Sequence, residues 1–331
     1  MSLRSQHHLV SFLERFRPAS GATGPVSTAD LARAARLLTV RSRREATGLF
    51  AGNYVSAFRG GGLEFEESRP YVPGDDLSML DRNATARTGN LFVKRYREER
   101  NQTLIFALDS SASMHFGTTG RTKIATAVQA LALLTSSAGR AGDRTGLISF
   151  SARGPIIVPA GRGRSHGMRV IRAAVTAAQT PAGATRLAPM IRTLRSGERR
   201  RAIMIVFSDF RDPMLLPYGT GYASLRGELA DLARRHDLIA AVVTDPVEEE
   251  LPRVGPLRVG EPDGRGATHV IDTFSESTRR RYQIEAEAWR RRVDQEVRGS
   301  GAEIVRLRTD HDPLHALGHF FRERAARRAT A

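Results

Sequence analysis

The sequence predicts a doubly wound α/β fold: a mostly parallel sheet with helices on both faces, preceded by a small module of one helix and short strands. Three observations predict it. Solid apolar runs at 104–108, 202–207 and 238–243 lack polar alternation, as strands buried on both faces do. Stretches with apolar residues at helical spacing lie between such runs. Each run also stops at acids and hydroxyls: Asp109, Ser111 and Ser113 after the first, Ser208 and Asp209 after the second, Thr244 and Asp245 after the third. If the strands are parallel these ends share one edge, the edge where doubly wound sheets bind ligands.

Residues 1–27 read as a flexible N-terminal segment, ending in the breakers around Gly21 and Gly24-Pro25. Thr28 caps a helix that runs to about Gly48, with Leu31, Ala34, Ala35 and Leu38 on one face. Residues 49–100, with glycines at 60–62, Pro70, Pro73 and Gly74, read as short strands and turns closed by the charge run Arg95–Arg100. Helix 28–48 and this stretch form one module, 28–100. The main domain, 101–331, follows. Its strands are expected at 104–108, 145–150, 156–158, 202–207, 238–243 and 303–307. Its helices are expected at 122–140, from near Ser165, from near Thr185, and at 222–235, 277–298 and 313–328. In the helix 277–298, Tyr282, Ala286, Trp289 and Val293 form a stripe expected to pack in the core.

Composition narrows the function. The chain has 331 residues, 40% of them hydrophobic, ample for a sizeable core. It has no cysteine, which excludes a disulfide framework and thiolate metal sites. No apolar run is long enough to span a bilayer, and the first residues lack the pattern of a secretory signal, so a cytoplasmic location is expected. The net charge is +16, yet all the basic residues except Lys94 and Lys123 are arginine. So lopsided a ratio reflects a GC-rich genome as readily as an anionic partner. No zinc-finger spacing and no aromatic-basic interleaving points to nucleic acid, which is not the expected partner.

The polar strand ends suggest chemistry. Hydroxyl and carboxylate oxygens are hard ligands, suited to Mg²⁺ or Mn²⁺ rather than zinc. Ser111 and Ser113, two apart, can be turned by a loop toward one point. Thr185, in the loop and helix start GATRLAP, can reach the same edge. Asp109 and Asp209 are placed to hold coordinating waters. Neutral hydroxyls leave much of a bound ion's charge uncancelled, so the ion favours one more carboxylate, supplied from outside. That is the electrostatics of a recognition site.

These residues resemble a known family. Asp109-Ser110-Ser111-Ala112-Ser113 fits the D-x-S-x-S signature of von Willebrand factor A domains, Thr185 the threonine of their second loop, and Asp209 in VFSDF the aspartate of their third. The resemblance implies a metal-ion-dependent adhesion site in which Ser111, Ser113 and Thr185 face the metal while Asp109 and Asp209 support it. The preceding stretch, GGGLEFEESRPYVPGDDLSMLDRNATARTGNLFVKRYREER at 60–100, resembles the bacterial family called domain of unknown function fifty-eight, whose members carry a von Willebrand A-like domain directly after it. Arg82 stands where that family usually has tryptophan. The second resemblance implies an adaptor or co-chaperone of a MoxR-type AAA+ ATPase, acting on a client protein.

Plainer and competing readings belong beside these. Asp143 lies on the opposite edge as a turn residue, and Asp245, followed by Pro246, also reads as a turn. Asp75 and Asp76 after Pro73-Gly74 are ordinary turn chemistry. Gly163-Arg164-Ser165-His166-Gly167 matches a nucleophile elbow only in letters, because no central strand runs into it; Ser165 reads as a helix cap. The expected function is a non-enzymatic, metal-dependent protein-interaction module. The alternatives are nucleic-acid binding through Arg279–Arg281 and Arg290–Arg292, and a metal-dependent hydrolase, which needs a base that the sequence does not display.

Overall fold

A computed structural model describes residues 28–58, 63–98, 102–151, 154–179, 183, 187–198, 200–212, 222–260 and 269–330. The expected flexible segment 1–27, the glycines 60–62 and Thr185 lie outside them, as do the side chains of the charge run 95–100.

Six strands form the main sheet: β3 (Thr103–Asp109), β4 (Arg144–Ser151), β5 (Gly154–Gly161), β6 (Ile203–Ser208), β7 (Asp237–Thr244) and β10 (Glu303–Arg308). Their spatial order is β5-β4-β3-β6-β7-β10, and every neighbour pair is parallel except β4 and β5. The mostly parallel, doubly wound sheet expected of a von Willebrand A-like chain is therefore what forms. Numbered along the chain, the strands run 3-2-1-4-5-6, so the order reverses between β3 and β6, the point at which such sheets open a crevice at their carboxyl edge.

Alternate residues of each central strand feed two cores. On one face Leu104, Phe106, Leu108, Ile205 and Phe207 pack under α4 (Lys123–Ala141) and α5 (Arg164–Ala177). On the other, Ile105, Ala107, Met204 and Val206 pack under α6 (Leu187–Gly197), α7 (Tyr222–Arg235) and the inner side of α9 (Glu276–Gly299). Both faces of β3 and β6 are thus buried, which is why their sequences do not alternate.

The N-terminal helices α1 (Thr28–Glu45) and α2 (Leu49–Phe58) join the first core with the terminal helix α10 (Pro313–Thr330). Phe50, Tyr54 and Phe58 surround Phe321, with ring centroids 5.2–5.9 Å apart. Asp143, at the edge away from the polar strand ends, is a buried turn residue that accepts hydrogen bonds from the Tyr54 hydroxyl (2.9 Å) and the Gln102 N–H (3.0 Å).

The sequence reading needs correction at several places. Residues 49–100 are not only strands and turns. Residues 49–58 are helical, because Phe50, Tyr54, Ala57 and Phe58 fall on one helix face. A second helix, α3 (Arg82–Thr88), lies between the antiparallel strands β1 (Leu63–Pro70) and β2 (Phe92–Glu98). Asp81 caps it by accepting from the N–H groups of Asn83 and Ala84, and Gly89 ends it in the left-handed region. Arg82, at its exposed first position, points to no packing role. Ser165 is not a cap: α5 starts from Gly163, whose φ of 88° suits glycine. A short hairpin, β8 (Pro256–Val259) with β9 (His269–Asp272), also precedes α9. No helix among the described residues is long and apolar enough to cross a membrane.

Candidate functional site

The reversal between β3 and β6 places Asp109 and Ser208 side by side. The Ser208 hydroxyl donates to Asp109 Oδ2 at 2.6 Å, and the Ser111 N–H donates to Asp109 Oδ1 at 2.9 Å. A 3-10 turn over Ala112–His115 follows, and within this loop the Ser111 and Ser113 hydroxyls come to 3.1 Å of each other. The loop then doubles back so that the Lys123 N–H donates to the Phe116 carbonyl. Gly117 makes that return possible, since a Cβ there would strike the Arg121 carbonyl oxygen.

Asp209 follows β6 directly. The next residue, Phe210, sits at φ 56°, a conformation rare for an aromatic side chain, held by its buried ring and by its N–H bonding to the Ser208 hydroxyl. Asp109, Ser111 and Asp209 are buried and Ser113 is half-buried. Burial, together with the charge of Asp209, pushes the Asp109 carboxyl up to about 6. Burial opposes ionisation of Asp209 too, but the Lys123 ammonium, the Arg211 N–H and the Ser113 hydroxyl outweigh it and hold Asp209 below the usual carboxylate range. Two repelling buried acids beside two hydroxyls form a donor set that fits a hard cation.

Thr185 lies outside the described residues. Its loop is tied to the site at one described point, where Gly183 accepts from the Ala112 N–H at 2.7 Å. The structure thus brings together Asp109, Ser111, Ser113 and Asp209, four of the five residues singled out from sequence. Among the described residues no three His, Asp or Glu side chains converge in a manner that could hold a metal, so any cation here depends on the hydroxyls.

The sequence reading missed Lys123. Fully buried, its Nζ lies 2.6 Å from both Asp209 Oδ2 and Glu248 Oε1. Burial lowers its proton affinity, and the two carboxylates more than restore it. Glu248 belongs to the single helical turn α8 (Pro246–Glu249), which Asp245 starts in a capping box. Asp245 is therefore a cap as well as a turn residue; fully buried, it also accepts from Thr118 and Thr309. Among the described residues the buried His115 Nε2 has no hydrogen-bond partner, and burial pushes the ring down to about 4.

A cleft of about 490 Å³ adjoins the site; Asp209, Arg211, Glu248, Arg253, Trp289 and Arg290 are among its walls. Trp289 packs against the second core as expected but is only half-buried, with Arg211 over its ring at 5.9 Å, and it also lines the cleft. Of the expected stripe only Val293 is fully in the core, because α9 turns a largely polar surface outward.

A family model described as "Protein of unknown function DUF58" matches residues 67–292. Uncharacterized protein Rv1480 of Mycobacterium tuberculosis and uncharacterized protein Mb1516 of Mycobacterium bovis are each 33% identical over 310 residues, spanning 93% of this chain and 94% of theirs. Among solved structures, the SpRpn10 VWA domain is similar over 65% of this chain and 93% of its own (10% identity, TM-score 0.36). The pilus adhesin SpaC of Lactobacillus rhamnosus GG is similar over 70% of this chain and 30% of its own (12% identity, TM-score 0.40).

Proposed function

The chain belongs to the DUF58 family, and from that premise we propose that it is a non-enzymatic, metal-dependent interaction module that captures a partner's carboxylate. The supporting observation is the cluster at the carboxyl edge: two hydroxyls 3.1 Å apart beside two buried, mutually repelling acids. In this reading Ser111, Ser113 and Thr185 hold Mg²⁺ or Mn²⁺, and Asp109 and Asp209 hold its waters. The ion supplies positive charge for a carboxylate from outside.

The hydrogen bonding supports a charge-holding role: Asp209 is paired with Lys123 and accepts from the Arg211 N–H, and Asp109 accepts from Ser208 and Ser111, so both carboxylates are fixed in place beside the two hydroxyls. The adjoining cleft offers room for the segment that carries the partner's acid. The resemblance suggests a MoxR-type AAA+ ATPase as the partner, with a client protein beyond it, in the cytoplasm.

The test is a pull-down between the full chain and the MoxR-type ATPase of the same organism, with Mg²⁺ and with chelator, for wild type and Ser113→Ala. Binding that requires Mg²⁺ and drops at least about tenfold in the variant is expected. Binding indifferent to both metal and substitution removes the mechanism.

A further inference from the structure

Lys123 is an expensive choice for its position. Burying an ammonium costs several kcal/mol before its partners repay it. It is the first residue of α4, where the helix dipole disfavours a cation. It is also one of only two lysines in a chain that otherwise uses arginine for its basic residues. Lysine differs from arginine in being a compact point charge. An apolar residue could fill the space, so the charge itself calls for explanation.

The surrounding charges supply one. Lys123 lies between Asp209 and Glu248, the Arg211 Nε lies 3.3 Å from Glu248, and Asp109 stands beside Asp209; counted over these five described side chains, there is one acid in excess. A divalent cation turns that excess into a single positive charge, which one external carboxylate cancels. Without the ammonium the loaded cluster would already be neutral. Asp209 also has both oxygens engaged, Oδ2 by Lys123 and Oδ1 by the Arg211 N–H, so its charge is shared before any ion arrives.

We propose that Lys123 is a built-in counter-ion that restrains divalent-metal affinity at this site and keeps the loaded site cationic toward a partner's acid. The inference rests on the metal-binding reading above and names a residue that sets the strength of that binding. Lys123 touches no metal in this scheme; it acts through Asp209 and Glu248 and is a positioning residue.

The experiment is a titration of the full-length chain with Mn²⁺ alone, following free Mn²⁺ by electron paramagnetic resonance, with circular dichroism to confirm folding. Lys123→Met is expected to bind Mn²⁺ at least about tenfold more tightly than wild type, because a nearby positive charge is gone. Glu248→Gln, which leaves the ammonium wholly to Asp209, is expected to bind more weakly. The double variant Lys123→Met/Glu248→Gln keeps the cluster's net charge and carries the test if the single variant does not fold; it too is expected to bind more tightly than wild type, by a smaller factor. If wild type binds Mn²⁺ and removing Lys123 does not tighten it, the counter-ion role is overturned while the metal site stands. If no form binds Mn²⁺, the metal reading fails and the inference fails with it.

Discussion

Two buried cations, at opposite edges of the same sheet, show how differently one chain uses a positive charge. At the amino edge of β7 and β10, Arg324 of α10 is 1% exposed and binds Asp237 and Glu303; it also donates to the Ala57 carbonyl at 3.1 Å and lies over the Phe58 ring at 5.2 Å. Arg327 and Arg328 add further charge to the same two acids, so the cluster is basic in excess and fully occupied. At the carboxyl edge Lys123 binds Asp209 and Glu248, while Asp109 stands beside Asp209 and, among the described residues, has no cation of its own. The guanidinium fork ties α2, α10 and two strands together; the ammonium leaves one acid in excess among the described side chains around it. The first arrangement is a structural clamp. The second is one charge short of balance, as a binding site can be.

The comparison breaks most visibly through the clamp. Arg324→Met removes the buried fork and leaves Asp237 and Glu303 only the more exposed Arg328 and Arg327; it is expected to cost about 2–3 kcal/mol in urea unfolding, with Mg²⁺ giving no selective rescue. If that loss is under about 1 kcal/mol, the clamp is not what holds α10 to the sheet.

At the other edge two groups oppose each other as pH changes. Asp109 is raised from 3.8 to about 6, so its contribution to stability is present below about pH 4 and is lost as pH rises through 6. His115 is lowered from 6.5 to about 4, so its contribution is present above pH 6.5 and is lost as pH falls toward 4. The His115 contribution is on the order of a few kcal/mol. Asp109→Asn is therefore expected to raise stability above pH 6 in chelator, and His115→Phe to flatten the acid limb; urea midpoints from pH 4 to 8 check both. An unchanged midpoint at pH 7 in Asp109→Asn would mean that the two acids do not strain the site.

A smaller effect separates the two cations by their response to metal. At one Mg²⁺ concentration, set at a hundred times the dissociation constant of Lys123→Met, that variant is expected to gain about 2.7 kcal/mol, whereas wild type and Arg324→Met, binding about tenfold more weakly, gain about 1.4 kcal/mol. Smallest is Asp310→Asn. Arg308 holds Asp310 at about 2, but the pair is partly exposed, so less than about 1 kcal/mol is expected, lost as pH falls through 2.

The sheet was legible because its central strands announce themselves: Leu104–Leu108 and Ile203–Phe207 are apolar on both faces, a pattern that local sequence carries in full. The helix 49–58 was harder to read, since Gly52, Tyr54 and Val55 are weak helix formers and only the spacing of Phe50, Tyr54, Ala57 and Phe58 betrays it. Asp81 and Gly89, a cap and a left-handed stop around 82–88, were signals present in the sequence and passed over. Lys123 gave no local signal. Its two partners lie 86 and 125 residues away, and a lysine opening a helix looks like a solvated one until tertiary structure encloses it. Trp289 was read in part: its spacing shows that it packs against the core, but helical spacing cannot tell that the same ring also forms the wall of a cleft.

The most direct measurement is Mn²⁺ binding to the full chain at neutral pH, for wild type, Ser111→Ala and Ser113→Ala. One saturable ion per chain, lost or weakened at least about tenfold in each variant while both remain folded, is the expected result. Equal Mn²⁺ uptake by all three, or none by wild type, contradicts a metal centre built on these hydroxyls.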